Sequence, residues 1–287
     1  MPSRERVYRT EAVVLRRQEF GEADRLLTVY TPAHGKLRLV AKGIRRANSR
    51  KAGHLELFTR VDLLLAKGRD LDVVTQAEAT DPYPGLRDDL LRLGHAAYVV
   101  ELLDCFAIPE GNRPLYRLLV ETMDRLSQGL EPAPVVRFFE LRLLDLVGYR
   151  PQLFRCMGCE GEIRPQAQYF SSREGGVLCP ECGRGRRGAQ PISLSALKVL
   201  RHYQRSPFST AVAARLDPEV HAEIESLMEA YLTYLLERRL NTPGFLQRVR
   251  RLMRGELSAG LLPGMKDPAP ASMSAESLEE RVHDPAP

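Results

Sequence analysis

Gly21-Glu-Ala-Asp-Arg-Leu-Leu-Thr-Val-Tyr-Thr-Pro-Ala-His-Gly-Lys-Leu-Arg-Leu-Val-Ala-Lys-Gly43 holds two strand-like runs folded about a proline and a glycine. Arg25 to Thr31 is rich in apolar and β-branched residues and stops at Pro32, which has no N–H to give a ladder. Lys36 to Ala41 then alternates. Leu37, Leu39 and Ala41 fall on one side, with Lys36, Arg38, Val40 and Lys42 on the other. One face packs and the other stays mostly basic. Outward from this pair, Val7 to Leu15, Phe58 to Leu65 and Leu71 to Ala77 predict three more strands. Gly21, Gly35, Gly43, Gly53 and Gly68 fall between the runs, where turns need a permissive backbone. Five short strands are what a small Greek-key barrel of the OB type requires, so residues 1–80 are expected to form one.

After Asp81-Pro82-Tyr83-Pro84 the apolar period lengthens to three and four residues. Leu86 to Leu103, Leu115 to Leu126 and Val135 to Leu146 predict packed helices, broken at Pro109, Pro114, Pro132 and Pro134. A further helix is expected from Ser193, whose hydroxyl can cap the run behind it, then Ile224 to Leu240 and Phe245 to Met253. Residues 81–254 thus form a helical domain, and the class is α+β with more than one domain. Residues 255–287 are rich in Pro, Ser, Ala and Glu, with too few large apolar side chains to offset ordering entropy. A disordered tail is expected there.

Four of the five cysteines stand as two tight pairs, Cys156-Met-Gly-Cys159 and Cys179-Pro-Glu-Cys182. Each pair has the C-x2-C spacing that wraps two thiolates around a tetrahedral ion, and the intervening loop lets both pairs meet at one metal. One zinc ion is the expected cofactor. Four sulfur ligands leave no open position for water, so the zinc is structural, clipping an insertion of residues 150–190 into the helical domain. The fifth, Cys105, lies in an apolar helical run and reads as a buried, inert thiol. Cysteine in metal spacing fits a reducing compartment.

The 287 residues carry a net charge of +5, unevenly spread. Lys36, Arg38, Lys42, Arg45, Arg46, Arg50 and Lys51 occur without an intervening acid, while the chain from Asp267 onward leans acidic. Such a one-sign cluster is a footprint for a polyanion, and these seven residues are the candidate nucleic-acid-binding set. Arg184, Arg186 and Arg187 follow the second cysteine pair and could add contacts. Phe20, Tyr30 and Phe58 are possible base-stacking residues, although core packing explains each at least as well. No apolar run is long enough to span a membrane, which gives a cytoplasmic expectation. There is no phosphate loop, zinc-protease helix or nucleophile elbow, and the six histidines are dispersed. Gly183-Arg-Gly185-Arg-Arg-Gly188 has dinucleotide-loop spacing but follows a metal knuckle instead of a strand. No catalytic residue is expected.

The quoted stretch from Gly21 to Gly43, Phe139-Glu-Leu-Arg-Leu-Leu-Asp-Leu-Val-Gly-Tyr-Arg-Pro151 and Phe170-Ser-Ser-Arg-Glu-Gly-Gly-Val-Leu-Cys179 together resemble segments of the bacterial RecO family. The resemblance spans about residues 7–253. It implies a non-enzymatic mediator of DNA repair and recombination in the RecFOR pathway. Such a protein binds single- and double-stranded DNA, anneals complementary strands, and with RecR helps load RecA on strands coated with single-strand-binding protein. Implied partners are RecR, the acidic C-terminal tail of single-strand-binding protein and, indirectly, RecA; a nucleoid-associated location follows. An acidic peptide needs a basic, apolar groove, for which Arg137, Arg142, Arg201 and Arg205 are candidates. The alternatives are an RNA-binding or ribosome-associated zinc protein, and a non-catalytic protein scaffold.

Overall fold

The computed structural model describes residues 6–213, 215–254 and 256. Five strands close a barrel in the order β1-β2-β3-β5-β4: β1 Val7–Phe20, β2 Asp24–Thr31, β3 Gly35–Ala41, β4 Arg60–Ala66 and β5 Asp72–Asp81. β1 serves two neighbours. Val7 to Val13 pairs with β4, and Val13 to Phe20 pairs with β2, around a bulge between Val14 and Arg16. An extra residue at that point sharpens strand twist and lets one long strand turn the corner of a small barrel. β3 and β5 close the circle in parallel through only Leu39–Asp72 and Val40–Val73.

The interior is filled by Ala12, Val14, Leu27, Val29, Leu39, Ala41 and the facing residues of β4 and β5, with Ile44 and Leu55 closing one end. Leu39 and Ala41 point inward as the alternation predicts. The outer side of β1 and β2 is apolar in places as well: Val13, Leu15 and Tyr30 pack against the helices in a second, larger core. This separates the three aromatic candidates. Tyr30 and Phe58 are buried between barrel and helices, whereas Phe20, at the end of β1, is 51% exposed.

β1 runs five residues past the expected end. Arg16-Arg-Gln-Glu-Phe20 shows no apolar alternation because it forms a ribbon with β2, and Gln18, Glu19 and Phe20 stand in solvent.

The helices are α1 Leu90–Phe106, α2 Arg113–Ser127, α3 Pro132–Leu146, α4 Pro180–Gly183, α5 Leu194–Arg205, α6 Phe208–Ala211, α7 Pro218–Leu236 and α8 Thr242–Met253. Their starts follow from capping chemistry. Asp89 accepts from the N–H of Leu91 and Arg92, and Asn112 from Leu115. Ser193 accepts from Ala196 as expected and is itself fixed by the Glu223 carboxylate, which takes both its N–H and its hydroxyl at 2.6 Å.

Between α3 and α5 the chain forms a three-stranded sheet: β6 Gln168–Ser171, β7 Gly176–Leu178 and β8 Ala189–Ile192, in the order β7-β6-β8. No strand is expected there from the sequence. Strands of three or four residues are too short for period two to register. The expected tail, residues 255–287, lies outside the described residues apart from Glu256.

The barrel is held to the helices by named contacts. Asp104 on α1 pairs with Arg16 at 2.8 Å and Lys36 at 3.3 Å, and its carbonyl oxygen accepts from Lys36 Nζ. Gly35 approaches the α1–α2 loop so closely that a Cβ would stand 2.2 Å from the Glu110 carbonyl oxygen, and its φ is +61°. Only glycine fits both constraints.

Candidate metal centre and nucleic-acid interface

The two cysteine pairs meet. All four Sγ atoms of Cys156, Cys159, Cys179 and Cys182 lie within 4.8 Å of one another, and Cys159 and Cys179 stand 3.9 Å apart. Sulfurs about 2.3 Å from a tetrahedral ion are separated by about 3.8 Å, so the donor set fits a metal of zinc's size and preference. Local backbone builds the cup: Cys156 Sγ accepts from the N–H of Gly158 at 3.4 Å and of Cys179 at 3.2 Å. Burial raises the Cys156 thiol, but these N–H donors outweigh it and bring the pKa down to about 6. Cys182 is pushed up to about 12, chiefly by its contact with Cys179 and then by the other two sulfurs. Four crowded thiols cannot all ionise without a cation among them, which is what a ligating set requires. Below the cup, Gly183 meets the Tyr169 ring so tightly that a Cβ would stand 2.5 Å away, locking the knuckle onto β6.

The seven basic candidates divide once partners are assigned. Lys36 is clamped to Asp104. Lys51 turns inward and donates to the carbonyl oxygens of Lys42 and Val74, and burial lowers its pKa. Arg45 reaches Glu19 at 3.4 Å. Arg38, Lys42, Arg46 and Arg50 are exposed, and no carboxylate among the described residues pairs with them. The four free cations all lie on β3 or the segment that follows it. Of the three arginines behind the cysteines, Arg186 is engaged by Glu174, while Arg184 and Arg187 are exposed.

The four groove candidates each have a partner within the helical domain. Arg137 is buried against Glu140 at 2.9 Å, Arg142 donates to the Ser206 carbonyl, and Arg201 donates to the Leu153 carbonyl. Arg205 is exposed but lies 3.7 Å from the Phe154 ring, with Arg201 at 4.9 Å over the same ring. Cys105 is half-buried, and Arg238 Nη2 donates to its sulfur at 2.7 Å while burial raises its pKa.

The helical core carries a polar cluster that the sequence reading missed. Tyr98 donates to Glu140 at 2.5 Å, and burial, against the pull of Arg137, pushes the Glu140 carboxyl up to about 7. His95, buried one turn away, falls to about 4, and its Nδ1–H donates to the Leu91 carbonyl.

The family models described as Recombination protein O N terminal and Recombination protein O C terminal match residues 5–83 and 87–243. The chain belongs to the RecO family. A DNA repair protein RecO from Roseiflexus sp. (strain RS-1) is 44% identical over 252 residues, covering 88% of this chain and 89% of the relative. Another from Pelotomaculum thermopropionicum is 35% identical over 256 residues, 88% of this chain and 99% of the relative. RecO membership places the chain in DNA repair and recombination and agrees with a barrel followed by a helical domain with four clustered cysteines. No helix among the described residues is long and apolar enough to cross a membrane.

Proposed function

We propose that this RecO-family chain is a non-catalytic mediator. It binds single- and double-stranded DNA along one side of its barrel, anneals complementary strands, and with RecR helps load RecA where single-strand-binding protein covers the strand. The observation that carries this reading is the group of cations Arg38, Lys42, Arg46 and Arg50 on β3 and the following segment, which no carboxylate among the described residues pairs. Annealing needs no reactive group. Two strands repel through their phosphates, and a surface that neutralises them while leaving the bases accessible lowers the barrier to encounter. Phe20, exposed at the tip of the β1–β2 ribbon, is available for base stacking, worth about 1–3 kcal/mol per base. Arg45 shares its charge with Glu19, and Lys36 and Lys51 position the face from within. Arg184 and Arg187 offer a second, smaller contact.

In this reading the cysteine cluster holds one structural zinc, which ties residues 150–190 to the helical domain and supplies no chemistry to the DNA. RecR and the acidic tail of single-strand-binding protein are the proposed protein partners, and the nucleoid is the proposed site of action.

The deciding experiment is strand annealing with single-strand-binding protein present, with and without RecR. Annealing that RecR modulates, and that drops when Arg46 and Arg50 become Glu, supports the reading. Preference for structured RNA without annealing would favour an RNA-binding role, and no nucleic-acid shift at all would leave a protein scaffold.

A further inference from the structure

A groove runs between the end of α1, the α1–α2 loop, the end of α3 and the end of α7, with a volume of about 690 Å³. Ile108, Leu146 and Tyr149, which are 58%, 39% and 49% exposed, line it together with Phe106 and Leu115. Arg238, whose guanidinium donates to the Cys105 sulfur, lines it too, and also lines an adjoining depression with Tyr234, 49% exposed, Glu237 and Arg239. Large apolar side chains gathered at one concavity beside two arginines and one glutamate are the signature of an interaction surface.

We propose that this groove is the docking site of the chain's own residues 273–284. That segment places Met273, Ala275, Leu278 and Val282 among Glu276, Glu279, Glu280 and Asp284, with Arg281 its only cation. It thus carries both properties the groove asks for, apolar side chains and negative charge. The basic segment of the barrel asks only for charge, since Ala47, Asn48 and Ser49 surround its arginines. Reach is sufficient. α8 begins where Glu101 of α1 takes Asn241 and Thr242, and Leu246 then meets Gly94, so α8 runs back along α1. From its end to the groove is about the length of α1, on the order of 25 Å. The twenty-odd residues from Arg254 to Ala275 can extend to roughly 70 Å. A segment tethered at that distance occupies its site at a high effective concentration, so an external acidic peptide must displace it to reach the groove.

The test uses the full chain and a full-chain variant, L278S/V282S, which leaves residues 6–256 untouched. Hydrogen exchange is followed in residues 105–112 and 233–239. The proposal expects both segments to exchange several-fold faster in the variant. A labelled peptide of residues 267–287 should bind the variant at least about tenfold more tightly than the unmodified chain, whose site is already filled. R238E/R239E placed in the variant should remove that binding. Equal exchange in the two chains overturns the proposal. So does a change confined to residues 42–51, which would put the segment on the barrel, or protection that grows with protein concentration, which would put a second copy in the groove.

Discussion

Lys51 Nζ lies 3.0 Å from the carbonyl oxygen of Val74, closing one end of the barrel with a hydrogen bond from a residue that stands within the basic run. β5 has only a short parallel pairing with β3, so its edge offers carbonyls that need donors. The same edge is held again where Ala79 donates its N–H to His54 Nδ1. This lysine is therefore a fastener, as Lys36 is, while Arg38, Lys42, Arg46 and Arg50 carry the charges that no carboxylate among the described residues pairs.

Substitution should separate these two roles. R46Q/R50Q is expected to flatten the dependence of log K on log salt for single-stranded DNA by about 1.4, two contacts at about 0.7 each, with thermal stability unchanged. K51M should lower stability by about 1 kcal/mol, a charged hydrogen bond discounted for its solvent exposure, with the salt slope held. Binding titrations at several salt concentrations, paired with thermal melts, read both. Equal slopes in R46Q/R50Q and the parent chain would remove these arginines from the interface.

Asp104 holds Lys36 and Arg16 to α1. D104N should release Arg16 onto the barrel surface and leave Lys36 held only by the residue-104 carbonyl oxygen, strengthening DNA binding at low salt while costing about 1–2 kcal/mol in stability, since a partly buried ion pair is lost. Weaker DNA binding in a folded D104N protein would mean that the clamp positions the binding face instead of withholding charge from it.

Chelation should act on one region. Removing the metal, or replacing Cys156 with Ser, is expected to speed hydrogen exchange through residues 150–192 and lower the melting temperature, because metal binding is coupled to folding of its ligand loops. The barrel strands should keep their protection. Loss of DNA affinity in a chelated protein with an intact barrel would move part of the interface to Arg184 and Arg187.

Two buried groups in the helical core give stability opposite pH dependences. Glu140 is raised to about 7 in the fold, so the native state holds its proton more tightly than the unfolded chain. Its contribution is present below about 4.5 and is lost as pH rises toward 7. His95 is lowered to about 4, so its contribution is present above about 6.5 and is lost as pH falls toward 4. E140Q should therefore make stability rise more steeply with pH between 4.5 and 7, and H95Q should make it rise less steeply between 4 and 6.5. Chemical denaturation across that range reads both slopes, and parallel curves for all three proteins would show that neither group titrates as assigned.

Much of this was legible along the chain. The alternation in Lys36 to Ala41 survives as the inward Leu39 and Ala41, and Ser193 caps α5. The cysteine spacing becomes one cluster of sulfurs. The three short strands around that cluster and the far end of β1 were not legible, because each lacks either the length or the one-sided burial that makes a period visible.

Composition and spacing determined the classes of element, the ligand set and the existence of a basic run, since these depend on residues close in sequence. Only the tertiary structure decided which cations are free. Lys36 meets Asp104 from 68 residues away, Lys51 meets Val74 from 23 residues away, and Arg137 is buried beside Glu140. A charge at a given position is set by the sequence, but whether it is neutralised depends on neighbours that folding brings from elsewhere in the chain.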